Sequence, residues 1–215
     1  RHALQKAKQV YGQVQTLRAM NGLSMSRVEP LPVRKVQPQD VRDAVIDIRD
    51  DIKELASVYG VDTVDQAEFV SGKTPTNVYE NLLLVEAHIR GLAIPDIVPN
   101  DVLQLAETLL SDIKLVAKKK NIGTTLPEPD TQGKSPKDVF IKSRDILAAL
   151  KRLNNKPGYN IPGDVGAMPR PGRYPPAAAM EGLGHLIAEV GALKYSIGVD
   201  RATRMAELRS GKTPS

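Results

Sequence analysis

Glu181 and His185 stand four residues apart, one helical turn, so a carboxylate and an imidazole can reach the same point in space. Such a pair is half of a two-metal site in a helical bundle, and the other half must come from a second Glu/His pair on another helix. His2 and His88 supply no such pair. The expectation is therefore no metal ligand set, with the histidines at the surface.

The phrase Gly-Lys-Thr/Ser occurs three times, at Gly72-Lys73-Thr74, Gly133-Lys134-Ser135 and Gly211-Lys212-Thr213. A phosphate-cradling loop needs another glycine five residues ahead of the Gly-Lys pair. Ala67, Glu128 and Ala206 stand there instead. Each copy is followed by proline (Pro75, Pro136, Pro214), which makes it a helix start: Thr or Ser caps the free amides and proline sets the first turn. Asn77 and Asp138 stand where a reciprocal capping side chain points back.

Asp47, Asp50, Asp51 and Glu54 fall on one helical face at i, i+3, i+4 and i+7. A straight helix does not converge the six to eight oxygens that calcium takes, so these carboxylates read as a solvated face. Asp51 differs from the others because it aligns with Asp112 and Glu189 when the chain is compared with itself. An acid recurring just ahead of a core residue predicts an ion pair to a neighbouring helix, with Arg18, Arg90 or Arg152 as the cation.

Nothing else in the chain composes a reactive site. There is no cysteine, hence no thiol nucleophile, disulfide or Cys-ligated metal, and no Ser/His/Asp order or carboxylate dyad can be placed in one cleft. The expected protein is not an enzyme and needs no cofactor. Aromatic residues are the remaining candidates. Tyr11, Tyr79 and Phe140 occupy one repeat position near the start of the first helix of each hairpin, where they either pack between hairpins or line an apolar groove. Tyr159, Met168 and Tyr174, in a long Pro/Gly-rich connector, are placed to cover that groove, and Val165 gives the connector more to bury.

The elements that position these residues are helical. Leu, Val, Ile and Ala carry the apolar load, with six Tyr, two Phe and no Trp in 215 residues, a balance that favours helix-on-helix packing. Apolar stripes at helical spacing run from Ala3, from Pro38, from Pro75, from Pro99, from Pro136 and from Pro176, each helix being about 18–22 residues long. A shift of 61 residues carries Val41, Ile48, Ile52 and Leu55 onto Val102, Leu109, Ile113 and Val116. A shift of 138 carries Ile48, Ile52, Leu55 and Gly60 onto Leu186, Val190, Leu193 and Gly198. The predicted fold is all-α, three stacked helical hairpins in a helical-repeat bundle or short solenoid, as one domain with units at about 1–71, 72–132 and 133–210 and a fourth opening at 211–215.

Charge is unevenly spread. Between Val36 and Val70 nine acidic residues face three basic ones, a balance of −6 in a chain of net charge +5, so the rest carries +11. The basic residues, Lys118 to Lys120 among them, make no stripe and have no interleaved aromatics, which argues against nucleic acid. Such a run ordinarily makes a solvated helix face, and the functional alternative is attraction to an acidic partner or peripheral contact with an anionic membrane. The longest apolar runs, such as Leu82 to Val85, are too short to span a bilayer. With no initiator Met at Arg1, any targeting segment or lipid anchor lies upstream. Together these features predict a non-catalytic helical-repeat binding protein of a periplasmic or other extracytoplasmic compartment. It would take a partner protein or an elongated apolar ligand such as a lipid in a groove between hairpins. The alternative is a self-associating assembly module, and a metal-dependent enzyme at Glu181 and His185 comes third.

Overall fold

The computed structural model describes residues 1–26, 28, 29, 31, 32, 34–61, 67, 68, 70–92, 99–123, 125, 133–159, 161, 173–201 and 203–207. Among them all regular structure is helical, in six elements: α1 His2–Met20, α2 Pro38–Val58, α3 Pro75–Arg90, α4 Pro99–Lys119, α5 Pro136–Asn154 and α6 Pro176–Ser196. Five of the six begin on a proline, whose missing N–H leaves nothing unpaired in a first turn. The third Gly-Lys-Thr-Pro copy, and with it the start of a fourth unit, lies outside the described residues.

The first two copies act as helix starts. Gly72 and Gly133 take left-handed φ values of 75° and 65°, which a side chain would strain, and so turn the connector into the cap. The Thr74 hydroxyl then accepts from the Asn77 amide while the Thr74 amide donates to Asn77 Oδ1 at 3.0 Å. At the next copy the Ser135 amide donates to Asp138 Oδ2 at 2.8 Å. The Ser135 hydroxyl, which donates to the same oxygen at 2.6 Å, does most to hold the Asp138 carboxyl below the usual range, followed by the Ser135 amide, with Lys134 and Lys137 adding to it. A depressed carboxyl supports the fold above its unfolded value and loses that support as pH falls through the folded one. Acidification below about pH 4 is therefore expected to fray the start of α5, seen as a loss of helical circular dichroism that Asp138→Asn removes. Thr74→Ala should lower stability by about 1 kcal/mol at any pH, measured by denaturant unfolding.

The helices pack as two units. In the first, Arg1–Glu29 with Val36–Asp96, α1 lies against both α2 and α3. Ala7, Val10, Val14 and Leu17 of α1 meet Ile48 and Leu55 of α2 and Leu82 and Ile89 of α3. In the second, Pro30–Lys35 with Ile97–Ser215, α6 lies against α4 and α5 and is buried along most of its length. Leu31 and Ile161 add apolar cover to that unit from outside the helices. The pair expected as a middle hairpin, α3 and α4, is thus divided between the units. At 16 residues α3 is also shorter than expected, because Gly91 follows it immediately.

The first pair does not form the antiparallel hairpin that the repeats suggest. Gln15 meets Asp51, Arg18 meets Glu54 and Asn21 meets Tyr59, so position along α1 and α2 rises together and the two helices run parallel. The 17-residue connector 21–37 makes this feasible: hairpin loops in bundles are typically 2–8 residues, whereas a chain returning the length of a helix needs more. The second unit follows the same rule. Lys120, one residue past α4, donates to the Gly158 carbonyl at 3.0 Å, just past α5, so two C-terminal ends meet. Phe140, near the start of α5, stacks edge-on against Tyr174, just ahead of α6, with ring centroids 5.4 Å apart, so two N-terminal ends meet. All three helices of that unit point the same way.

Burial follows the shift of 61. Ile48 and Leu109, Leu55 and Val116, Leu82 and Ser143, Glu86 and Leu147, and Ile89 and Leu150 are buried position for position in α2 and α4 or in α3 and α5.

Candidate functional site

Each unit buries charge between its helices. In the second, Lys194 of α6 is wholly enclosed and its Nζ donates to Asp112 Oδ1 of α4 at 2.6 Å. Thr203, from the segment that follows α6, closes the group: its hydroxyl donates to Asp112 Oδ2 at 2.5 Å and accepts from Lys194 Nζ at 3.3 Å. That segment continues back along α4, where the Ala206 amide donates to Thr108 Oγ1 and its carbonyl accepts from Gln104. Each oxygen of the Asp112 carboxylate thereby has a donor, and such added hydrogen bonds are what let a buried ion pair be tolerated.

In the first unit α1 carries no acid at all and supplies the cations. Arg18 reaches Asp51 at 3.3 Å and Glu54 at 2.6 Å on α2, and Gln15 bonds Asp51 as well. On the opposite flank Lys6 reaches Glu86 of α3 at 3.3 Å, and Gln13 and Arg90 bond the other oxygen of the same carboxylate. Lys8 sits deep enough that burial pushes its ammonium below the usual lysine range, with Glu29, Asp47 and Asp40 pulling it back. The acidic balance of α2 is therefore in part an internal device facing the cations of α1. Its outer members are solvated: Asp50 is exposed and pairs with exposed Arg49.

The ion pair expected at Asp51 is present with Arg18, and the equivalent acid Asp112 has its own. Arg90 pairs on its own helix with Glu86, and Arg152 is exposed. Lys194 and Lys6 escaped sequence reasoning. One signal was available for the first: Lys194 precedes Gly198 by four residues, as Arg18 precedes Gly22. Glu189, the third aligned acid, is fully buried on α6.

His185 corrects an expectation, being buried rather than at the surface, because α6 is enclosed on nearly every side. Its Nε2 lies 4.0 Å from Glu181 Oε1. Among the described residues no three His, Asp or Glu side chains gather as a metal would require.

The aromatic candidates divide between the units. Tyr11 lies half-buried at the edge of the first core, where burial pushes its phenol up. Tyr79 lies beneath Lys6, whose Nζ is 5.8 Å from the ring centre. Phe140 is 2% exposed and is brought together with Tyr174, so in the second unit the repeat position is a packing position. Tyr159 carries Lys120 over its ring at 4.4 Å. Met168, like Val165, lies outside the described residues.

No described helix is long and apolar enough to cross a membrane. No family model matches the chain, and neither a curated protein nor a solved structure is found to be similar to it.

Proposed function

We propose that the chain is a non-catalytic binding protein that presents one end of its first unit to a partner protein. A single observation carries this reading. The Asn21 side chain donates to the Tyr59 hydroxyl at 3.1 Å, bringing the parallel ends of α1 and α2 together. Around that bond Met20, Val58, Tyr59 and Val61 are each about half exposed. Parallel packing gathers at one place the side chains that an antiparallel pair would separate. A methionine beside aromatic and branched side chains adapts to a partner's apolar face.

The buried charges support the non-catalytic part. Lys6, Arg18 and Lys194 each join two helices and are committed to holding the units. An elongated apolar ligand finds less support, because Phe140 is packed inside and the other rings lie against lysines or the core. We further propose that α2–α3 and α4–α5 are two copies of one ancestral element, for which the 61-residue register of burial is the support.

The test is photo-crosslinking in cells that make the protein, with benzoylphenylalanine placed at Tyr59 or, as a control, at exposed Asn81 of α3. One discrete heterologous adduct from position 59, absent from position 81, is expected. An adduct only to a second copy would replace this reading with self-association, and no adduct above the control would overturn both.

A further inference from the structure

Where α4 and α5 stop, the chain concentrates cations. From Ile113 to Thr125 the chain has four lysines, and from Ile146 to Ile161 two lysines and an arginine, with no Asp or Glu in either stretch. Far apart in sequence, the two stretches meet through Lys120, which bonds the Gly158 carbonyl and covers Tyr159. Around it Lys118, Lys119, Lys151, Arg152 and Lys156 are all exposed. At the tip Asn121 takes a left-handed φ of 54° and Ile122, next to it, is 54% exposed.

Helix polarity explains part of this. Parallel helices gather their carbonyl ends, and Lys118, Lys119, Lys151 and Arg152 lie in the last turns of α4 and α5, where cations are favoured. It does not explain Lys156, which stands beyond α5, or an isoleucine held out in water among lysines.

We infer that this surface docks on an anionic lipid membrane, going beyond the partner proposed above and using the other unit. The cations face the headgroups, Ile122 enters the acyl boundary and Tyr159 sits at the level where amphipathic rings collect. Nucleic acid is the poorer fit. Single strands stack on open aromatic faces, whereas Tyr159 is covered by Lys120 and Ile122 would stay in water.

The experiment is cosedimentation of the full chain with vesicles of phosphatidylcholine, with or without phosphatidylserine. Binding is expected only with phosphatidylserine and should fade as salt is raised. Near such a surface each cation contributes about fivefold to affinity, so Lys118→Gln/Lys119→Gln/Lys156→Gln should bind about 100-fold more weakly while melting as the parent does. Ile122→Ser should lose about tenfold with the salt dependence unchanged. Equal binding to both vesicles, or a triple variant that binds like the parent, overturns the inference. So does binding to single-stranded RNA with none to phosphatidylserine, which would assign the surface to nucleic acid. Because the crosslinking test reads the first unit, either result can fail while the other stands.

Discussion

Lys194→Met is expected to destabilise the protein by about 3–5 kcal/mol, because it leaves the Asp112 carboxylate buried without its cation. The comparison that identifies the cause is Lys194→Met with Asp112→Leu. Removing both charges trades a desolvated pair for apolar contact, and stability should return to within about 1 kcal/mol of the parent or exceed it. Denaturant midpoints followed by circular dichroism would show the difference. If the single variant loses under about 1 kcal/mol, the pair is not shielded as its geometry implies.

Leu186→Ala should be the other large effect, at about 2–5 kcal/mol. Leu186 is 0% exposed at the middle of the helix that both α4 and α5 pack against, so the cavity left there has rigid walls on several sides. Leu84, on the outer face of α3 and 60% exposed, is the control, and Leu84→Ala should change stability by no more than about 0.5 kcal/mol. Equal losses at the two sites would mean that α6 is not the enclosed element described above.

The sequence made some of this legible because the relevant physics is local. The starts of α3 and α5 could be read to the residue, since a cap and a proline act within one turn. The stripes of α2 and α4 were legible for the same reason, burial on a helix having a fixed period. Direction was not. Register says which residues correspond, not which helices touch, and a 17-residue connector permits a parallel or an antiparallel neighbour. The charged site divided in the same way. Asp51 and Arg18 could be paired on paper because the acid recurs, but Lys194 sits beside Leu193 in an apolar helix where no pattern separates a snorkelling lysine from an enclosed one. Lys118 to Lys120 were visible as a run. Their union with Lys151, Arg152 and Lys156 depends on two helix ends that only the fold brings together.

Parallel packing also sets the order in which the chain must find itself. An antiparallel pair can zip from its turn, each new contact closing only a few residues more than the last. Here α1 cannot touch α2 in register until residue 15 reaches residue 51, and Lys194 must find Asp112 across 82 positions. The loop entropy of those closures is lost before any contact rewards it. Folding should therefore be slow for an all-helical chain, nearer to mixed α/β domains than to up-and-down bundles. Isolated α1 and α2 would exist as fluctuating segments until the crossover is complete.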